Sequence, residues 1–420
     1  MKLLERVAGR LRRPTADPGL TAARAAHAGG DFVEARRLAA PLVEHGATLE
    51  AVRGLAELEY LLGDYSAAED LLRRVVEESG RDVEARVDAE VALALVYFQT
   101  NRYAEAHGLF AGLEDAVVLP IWELMRSFGD ERPYRIELPG DGAVTLPFTQ
   151  ATEWELPSVA IEIDGRPVDA RLDTGGELLT LSRDIAEAVG VDPVVTATGV
   201  FAGGAQGDMS YGRVGAVSLG GATVRRVPVA VVDLDRPVIG TGFLRQFLPT
   251  FDFPTRRLAL RPRTDQGRAA LRAELSGAHA VEVPFALAAT HLIVARGSLD
   301  DESPLTFILD SGLQDEQGAA FAAPPQTLTA AGIPIPETTE DVRESGAGHV
   351  ALQVGRFPIR RLGLGSLVQH DLLGFYGVFP DAWREAAGFR IDGLVSHGFL
   401  RRYAWTLDFD SMAMTFVAAA

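Results

Sequence analysis

The stretch Val168-Asp169-Ala170-Arg171-Leu172-Asp173-Thr174-Gly175 decides how this chain reads. Apolar and polar residues alternate up to Leu172, continuing the run Val159-Ala160-Ile161-Glu162-Ile163, as on strands with one face in a core. The run ends on a carboxylate, a small hydroxyl and a glycine. The hydroxyl can bond back across such a turn, and the glycine lets another backbone approach closely. A second triplet, Asp310-Ser311-Gly312, follows Phe307, Ile308 and Leu309. Two such turns point to one site built twice.

The segments downstream repeat as well. Gly242-Phe243-Leu244-Arg245-Gln246-Phe247-Leu248-Pro249-Thr250-Phe251-Asp252-Phe253 aligns without a gap to Gly398-Phe399-Leu400-Arg401-Arg402-Tyr403-Ala404-Trp405-Thr406-Leu407-Asp408-Phe409, with seven of twelve positions identical. Apolar pairs precede both, Val238-Ile239 and Leu394-Val395, and strand-like tails follow, Leu258-Ala259-Leu260 and Met414-Thr415-Phe416. An internal duplication accounts for this pattern better than chance.

On these residues the chain resembles the aspartic peptidases of the retropepsin-like and pepsin-like group. Each lobe of that family carries an apolar pair with Asp-[Thr/Ser]-Gly, then a flap hairpin, an apolar-apolar-Gly stretch with a short helix, and a closing strand. The resemblance covers about residues 135 to 420. It implies a mainly-β, two-lobed acid-protease fold in which Asp173 and Asp310 meet at the lobe junction as the catalytic pair, with Thr174, Gly175, Ser311 and Gly312 supporting the catalytic turns. It implies a peptide or protein substrate, and neither cofactor nor metal.

The length, 420 residues, accommodates several domains, and 47% hydrophobic content fits a folded chain. A net charge of −18 argues against nucleic acid or an anionic membrane as partner. Cysteine is absent, which removes disulfides, thiol nucleophiles and thiolate metal sites, and Lys2 is the sole lysine. The start, Met1 to Pro14, is basic and amphipathic but has no continuous apolar core, and no run approaches a membrane span. A cytoplasmic protein without stable membrane insertion is expected.

From Thr21 to about Glu114 the chain is rich in alanine and leucine at helical spacing. Gly30-Asp31-Phe32 precedes Ala35, Gly63-Asp64-Tyr65 precedes Ala68, and Asn101-Arg102-Tyr103 precedes Ala106, at spacings of 33 and 38 residues. An aromatic three positions before a small residue lets paired helices approach while the ring fills the gap between repeats. This resembles tetratricopeptide repeats and implies a possible protein partner on the helical face; the alternative is a plain helical bundle. Leu119-Pro120, Pro133 and Leu138-Pro139-Gly140-Asp141-Gly142 end the helical pattern. The fold class is thus multidomain α + β: a helical TPR-like domain at 1–129, peptidase-like lobe 1 at 130–264 and lobe 2 at 265–420.

Within lobe 1, Ser182 to Gly190 reads as a short capped helix. Val200 to Tyr211, with glycines at its tip, reads as the flap hairpin; Gly203, Gly204 and Tyr211 are its candidates. In lobe 2, Pro325 to Ala331 echoes the helix and Ser345 to His349 the hairpin tip, while Gln369 to Phe389 has no evident counterpart.

Two close carboxylates cannot both ionise, so one serves as base toward a water and the other, protonated, polarises the scissile carbonyl. Three residues depart from the family's pattern. Gly176 and Leu313 stand where a Ser, Thr or Ala follows the triplet, and without that hydroxyl a higher-titrating pair is expected. Ser396 stands where lobe 1 has Gly240. Glu177, Asp315 and Glu316 read as solvent-facing, His349 and His397 as solvated turn residues, and Asp252 and Asp408 as structural. The eight histidines form no H-E-x-x-H pattern and no G-x-S-x-G elbow occurs. These observations favour an aspartic endopeptidase. The competing reading is a peptidase-shaped binding or scaffold protein in which Leu313 and Ser396 distort the cleft and the helical repeats carry the function.

Overall fold

The computed structural model describes residues 18–44, 48–110, 120–140, 142–152, 154–200, 206–343, 351–379 and 387–418. The chain forms two compact units. One holds Met1–Pro133 with the short segments Ala286–Thr290 and Ala382–Ile391; the other holds Tyr134–Phe285, His291–Asp381 and Asp392–Ala420. The amphipathic start and both hairpin tips, with Gly203, Gly204 and His349, lie outside the described residues.

The first unit is helical. Helices Pro18–Ala28, Phe32–Glu44, Leu49–Leu61, Tyr65–Glu78 and Val83–Gln99 follow one another, then a 3-10 helix at Tyr103–Gly108 and a helix at Pro120–Ser127. Gly30, Gly63 and Asn101 all turn the chain with positive φ, at 73°, 83° and 58°. After the first two turns, Asp31 and Asp64 cap the next helix by accepting from the Glu34 and Ala67 amides. The third turn has Arg102 instead, which caps nothing, and the chain winds only as a 3-10 helix. Ala35, Ala68 and Ala106 are fully buried, so each lets its neighbour close in.

Two pieces of the β-rich part of the sequence complete this unit. Phe389 meets Phe32 edge-on at 5.0 Å, and the Arg390 amide donates to the Ala28 carbonyl. The Tyr60 hydroxyl donates to the Ala289 carbonyl and the Gln99 amide to that of Thr290. The stretch Gln369 to Phe389, expected as one insertion, therefore divides. Residues up to Tyr376 belong to strand Leu367–Tyr376, which pairs along Ala351–Leu364, and only the remainder is additional to the lobe-1 pattern. The aromatic residues Phe375 and Tyr376 are strand residues, which hid that boundary.

The second unit is mainly β, and its element order occurs twice. Strands Ser158–Ile163 and Arg166–Leu172, a short strand Leu179–Ser182 with helix Arg183–Ala188, the hairpin Val195–Val200 with Gln206–Leu219, then Ala222–Val232, Val238–Ile239, helix Thr241–Leu244 and strands Phe247–Asp252 and Arg257–Pro262 make the first set. The second runs Leu292–Leu299, Glu302–Leu309, Phe321–Ala322, helix Pro325–Ala330, Glu340–Arg343 with Ala351–Leu364, Leu367–Tyr376, Gly393–Val395, helix His397–Leu400, Tyr403–Asp408 and Ala413–Ala418. The correspondence extends to backbone detail. Asp164 and Asp300 both adopt left-handed φ, 47° and 50°, at the first hairpin of each lobe. Asp164 accepts from the amides of Gly215 and Ala216, and Asp300 from those of Arg360 and Arg361.

Both lobes share one sheet. Phe247–Asp252 pairs antiparallel with Tyr403–Asp408, with Thr250 opposite Thr406 and their hydroxyls 2.7 Å apart. Beside them the rings of Phe251 and Trp405 stack at 4.1 Å, both buried. Residues on either side of 264 therefore lie in a continuous ladder. Asp252 and Asp408 accept from the amides of Thr255 and Asp410 in the turns before the closing strands. Among the described residues no helix is long and apolar enough to cross a membrane.

Candidate active site

Each Asp-x-Gly turn is delivered by a strand locked on a short parallel partner. Arg166–Leu172 runs parallel to Val238–Ile239, and the Asp173 amide donates to the Ile239 carbonyl at 3.1 Å. Glu302–Leu309 runs parallel to Gly393–Val395, and the Asp310 amide donates to the Val395 carbonyl at 2.9 Å. The buried flanks Ala170, Leu172, Phe307, Ile308 and Leu309 root the two turns in the core.

The turns then clasp each other. The Thr174 amide donates to Ser311 Oγ at 2.9 Å and the Ser311 amide to Thr174 Oγ1 at 3.0 Å. Thr174 Oγ1 itself donates to the Leu309 carbonyl at 3.2 Å. Thr174 and Ser311 are buried, so each of these bonds is shielded from competing water. Gly175 donates its amide to Asp173 Oδ1 at 2.7 Å, and Gly312 and Leu313 donate theirs to Asp310 Oδ1 at 3.0 and 3.1 Å. A Cβ on Gly175 would stand 2.7 Å from Asp310 Oδ1, and one on Gly312 would collide with the Asp173 carboxyl. Both glycines are thus required by the approach of the opposite aspartate.

The Asp173 and Asp310 side chains are hydrogen-bonded to each other. Each keeps a little surface at the cleft, but the protein around them strips most of their water. Burial is the largest effect on both and raises both pKa values. For Asp310 the neighbouring Asp173 charge adds to it and the shift is large. For Asp173 the amides of Gly175 and Gly312, the Asp310 hydrogen bond and the charge of His291 all act against burial. With both values raised, the pair holds one proton between its two carboxyls.

Ser396 is accommodated. In lobe 1 a Cβ on Gly240 would run into the carbonyls of Gly176 and Leu178. In lobe 2 the chain between Leu313 and Ala319 is longer by Gln314 to Gly318, which makes room for the serine. Its hydroxyl donates to the Ala319 carbonyl at 2.6 Å and accepts from the Gly398 amide at 3.2 Å. Leu313 is buried, and its carbonyl accepts from the His397 amide at 3.0 Å, as that of Gly176 accepts from Thr241 at 2.8 Å.

Several neighbours differ from their reading in the sequence. Tyr211 is buried in the strand rising from the hairpin, and its hydroxyl donates to Glu177 Oε2 at 3.2 Å. Glu177 is therefore half-buried beside the turn and not solvent-facing. Asp315 is bound to Arg356 at 2.8 Å and accepts from the Gln317 and Ala319 amides, ordering the lobe-2 loop; Glu316 is exposed. His397 is buried, its ring edge-on to Phe253 at 5.3 Å. His291, at the turn before strand Leu292–Leu299, was not singled out by the sequence, since it lies outside every motif. Asp164 and Asp300 were missed likewise, although Asp-Gly and Asp-Asp at a hairpin corner were available signals.

Residues 159–244 match the family model described as Aspartyl protease. Among solved structures, a retropepsin-like aspartic protease from Rickettsia conorii is similar at 16% identity, with 31% of this chain and 94% of that chain covered and a TM-score of 0.24. A search of curated proteins returned no match. The chain carries an aspartic protease-like domain.

Proposed function

We propose that the protein is an aspartic endopeptidase whose nucleophile is a water activated by Asp173 and Asp310. The observation that carries this reading is the pair of clasped turns, with two hydrogen-bonded carboxylates and a glycine yielding to each. Asp173, ionised, takes a proton from the water as its oxygen attacks the peptide carbonyl carbon. Asp310 gives its proton to the carbonyl oxygen, so no charge builds up there. Collapse of the tetrahedral intermediate breaks the C–N bond: the leaving nitrogen takes the proton held by Asp173, while Asp310 takes one back from a hydroxyl of the diol as the product carboxyl forms, which restores the starting dyad. The dyad titrates as a unit, and burial at both members places its activity above the range of an ordinary aspartate.

The recurring element order and the paired left-handed aspartates support reading the two lobes as one duplicated unit. The repeated turns at Gly30, Gly63 and Asn101 support a TPR-like reading of the helical unit. We assign that unit a partner-binding or substrate-recruiting role. Its first occupant is the chain itself, through Ala289, Thr290 and Phe389. The scaffold alternative draws on Leu313, buried beside Asp310 where the family carries a small residue.

The test is to incubate the wild type and Asp173→Asn with a peptide library between about pH 4 and 8. Cleavage by the wild type that disappears in the variant supports the peptidase. Silence from both folded proteins transfers the assignment to the scaffold.

A further inference from the structure

The two catalytic turns are near copies, yet the strands that deliver them are held by different means. Glu302–Leu309, which ends on Asp310, lies in the sheet between Gly393–Val395 and Leu292–Leu299. The chain leading into each of these neighbours is gripped by the helical unit. Ahead of Leu292, the Ala289 carbonyl, in a turn with φ 52°, accepts from the Tyr60 hydroxyl, and the Thr290 carbonyl accepts from Gln99 Nε2 at 2.9 Å. Gln99 also donates to the Tyr60 oxygen at 3.0 Å, so one buried pair serves both carbonyls. Ahead of Gly393, the Phe389 ring meets Phe32 and the Arg390 amide donates to the Ala28 carbonyl at 2.8 Å.

From each anchor a short relay of bonds reaches the aspartate. Two residues after Arg390, the Asp392 amide donates to the Thr306 carbonyl at 2.7 Å and the Asp392 carboxylate accepts from the Thr306 amide at 2.8 Å. From the other neighbour, Arg296 Nη1 donates to Thr306 Oγ1 at 2.8 Å. Thr306 is fully buried four residues before Asp310, and Val395, three after Asp392, accepts the Asp310 amide at 2.9 Å. Lobe 1 is built otherwise. At the same places, four before Asp173 and three before Ile239, stand Asp169 and Arg236, whose side chains meet at 3.4 Å on the surface. Its two framing strands are entered through residues of their own unit: Gln150 accepts from the Ser158 amide at 3.3 Å, and Asp235 pairs with Arg171 at 2.7 Å.

We propose that Tyr60, Gln99 and Phe389 are positioning residues of the dyad: by fixing the approach to both strands beside Glu302–Leu309, the helical unit sets the lobe-2 catalytic turn, while the lobe-1 turn depends on its own lobe. A strand of three residues such as Gly393–Val395 has few ladder bonds of its own, and it frays unless the residues before it are held. Asp310 hangs on its last carbonyl, so loosening at Phe389 or at the Ala289 turn is passed to the carboxyl that must stay within reach of Asp173. The catalytic part of this inference rests on the peptidase reading above; the ordering of the strand does not.

Two measurements on the full chain separate them. Tyr60→Phe keeps the ring and removes the donor to Ala289, so this variant retains the fold; Phe389→Ala releases the other anchor. In amide hydrogen exchange, residues 302–312 should exchange about fivefold faster or more in each variant, the factor that loss of one buried hydrogen bond gives, while residues 166–175 exchange as in the wild type. Unchanged exchange at 302–312, or an equal rise in both segments, would overturn the proposal whether or not any peptide is cleaved. In a cleavage assay both variants should lose kcat with KM little changed. Full kcat alongside faster exchange at 302–312 would sink the positioning role.

Discussion

Gly312 has no room for a side chain because the carboxyl of Asp173 occupies the place its Cβ would take. That crowding brings the two carboxylates within hydrogen-bonding reach and removes their water, and the cost falls mainly on Asp310. Its folded pKa lies well above the ordinary aspartate value, mainly through burial and then through the Asp173 charge. The sign follows: a raised carboxylate contributes stability that is complete below its unfolded pKa and is lost as pH rises toward the folded value. Asp310→Asn carries no such penalty. It should unfold at higher urea than the wild type at pH 7, by on the order of 2 kcal/mol, with the gap closing near pH 3. A constant gap across that range would show that the proton is not held at Asp310.

The same economy of contacts governs the elements. Each lobe opens with a hairpin whose corner aspartate takes left-handed backbone and accepts two amides from the long strand of the next hairpin. Asp164 thereby pins the Gln206–Leu219 strand, the one that also carries Tyr211. Replacing it with alanine removes both acceptors and puts an unfavoured residue at positive φ. Thermal unfolding of Asp164→Ala should show a loss of about 2 kcal/mol, and Asp164→Asn, which tolerates that backbone and keeps one acceptor, a smaller one. Equal losses would mean the clamp is not what holds the strand.

At the scale of the whole molecule, the two units are not two consecutive stretches of sequence. Residues 286–290 and 387–391 belong with the helices, where Phe32 and His27 surround Phe389 and Tyr60 and Gln99 satisfy the carbonyls of Ala289 and Thr290. A fragment spanning residues 134–420 would leave Phe389 without its aromatic partners and those carbonyls without their donors. It should aggregate, or bind an apolar dye, at concentrations where the full chain does neither, and Phe389→Ser in the fragment should relieve this in part. A fragment as well behaved as the full chain would show that the helical unit gives these segments nothing.

The motifs with a local cause were legible in the residues. Alternation up to Leu172 and Leu309 and the triplets after them foretold the strand ends and turns, because side-chain period and turn chemistry act over a few residues. The repeat from Gly242 and from Gly398 foretold the matching helix-and-strand runs, Thr241–Leu244 with Phe247–Asp252 and His397–Leu400 with Tyr403–Asp408, since like sequences form like local structure. The recurring spacing located the turns at Gly30, Gly63 and Asn101, though only the structure showed that Arg102 does not cap as Asp31 and Asp64 do. What tertiary structure alone decided is everything that depends on residues far apart in the chain. It set Thr250 against Thr406, made room for Ser396 by lengthening the loop after Leu313, and drew Phe389 into the helices. It also set Glu177, half-buried, against the Tyr211 hydroxyl. Sequence determines which residues can form a strand, a cap or a turn; it does not state which charges will share the same low-dielectric space, and that sharing is what raises both aspartates.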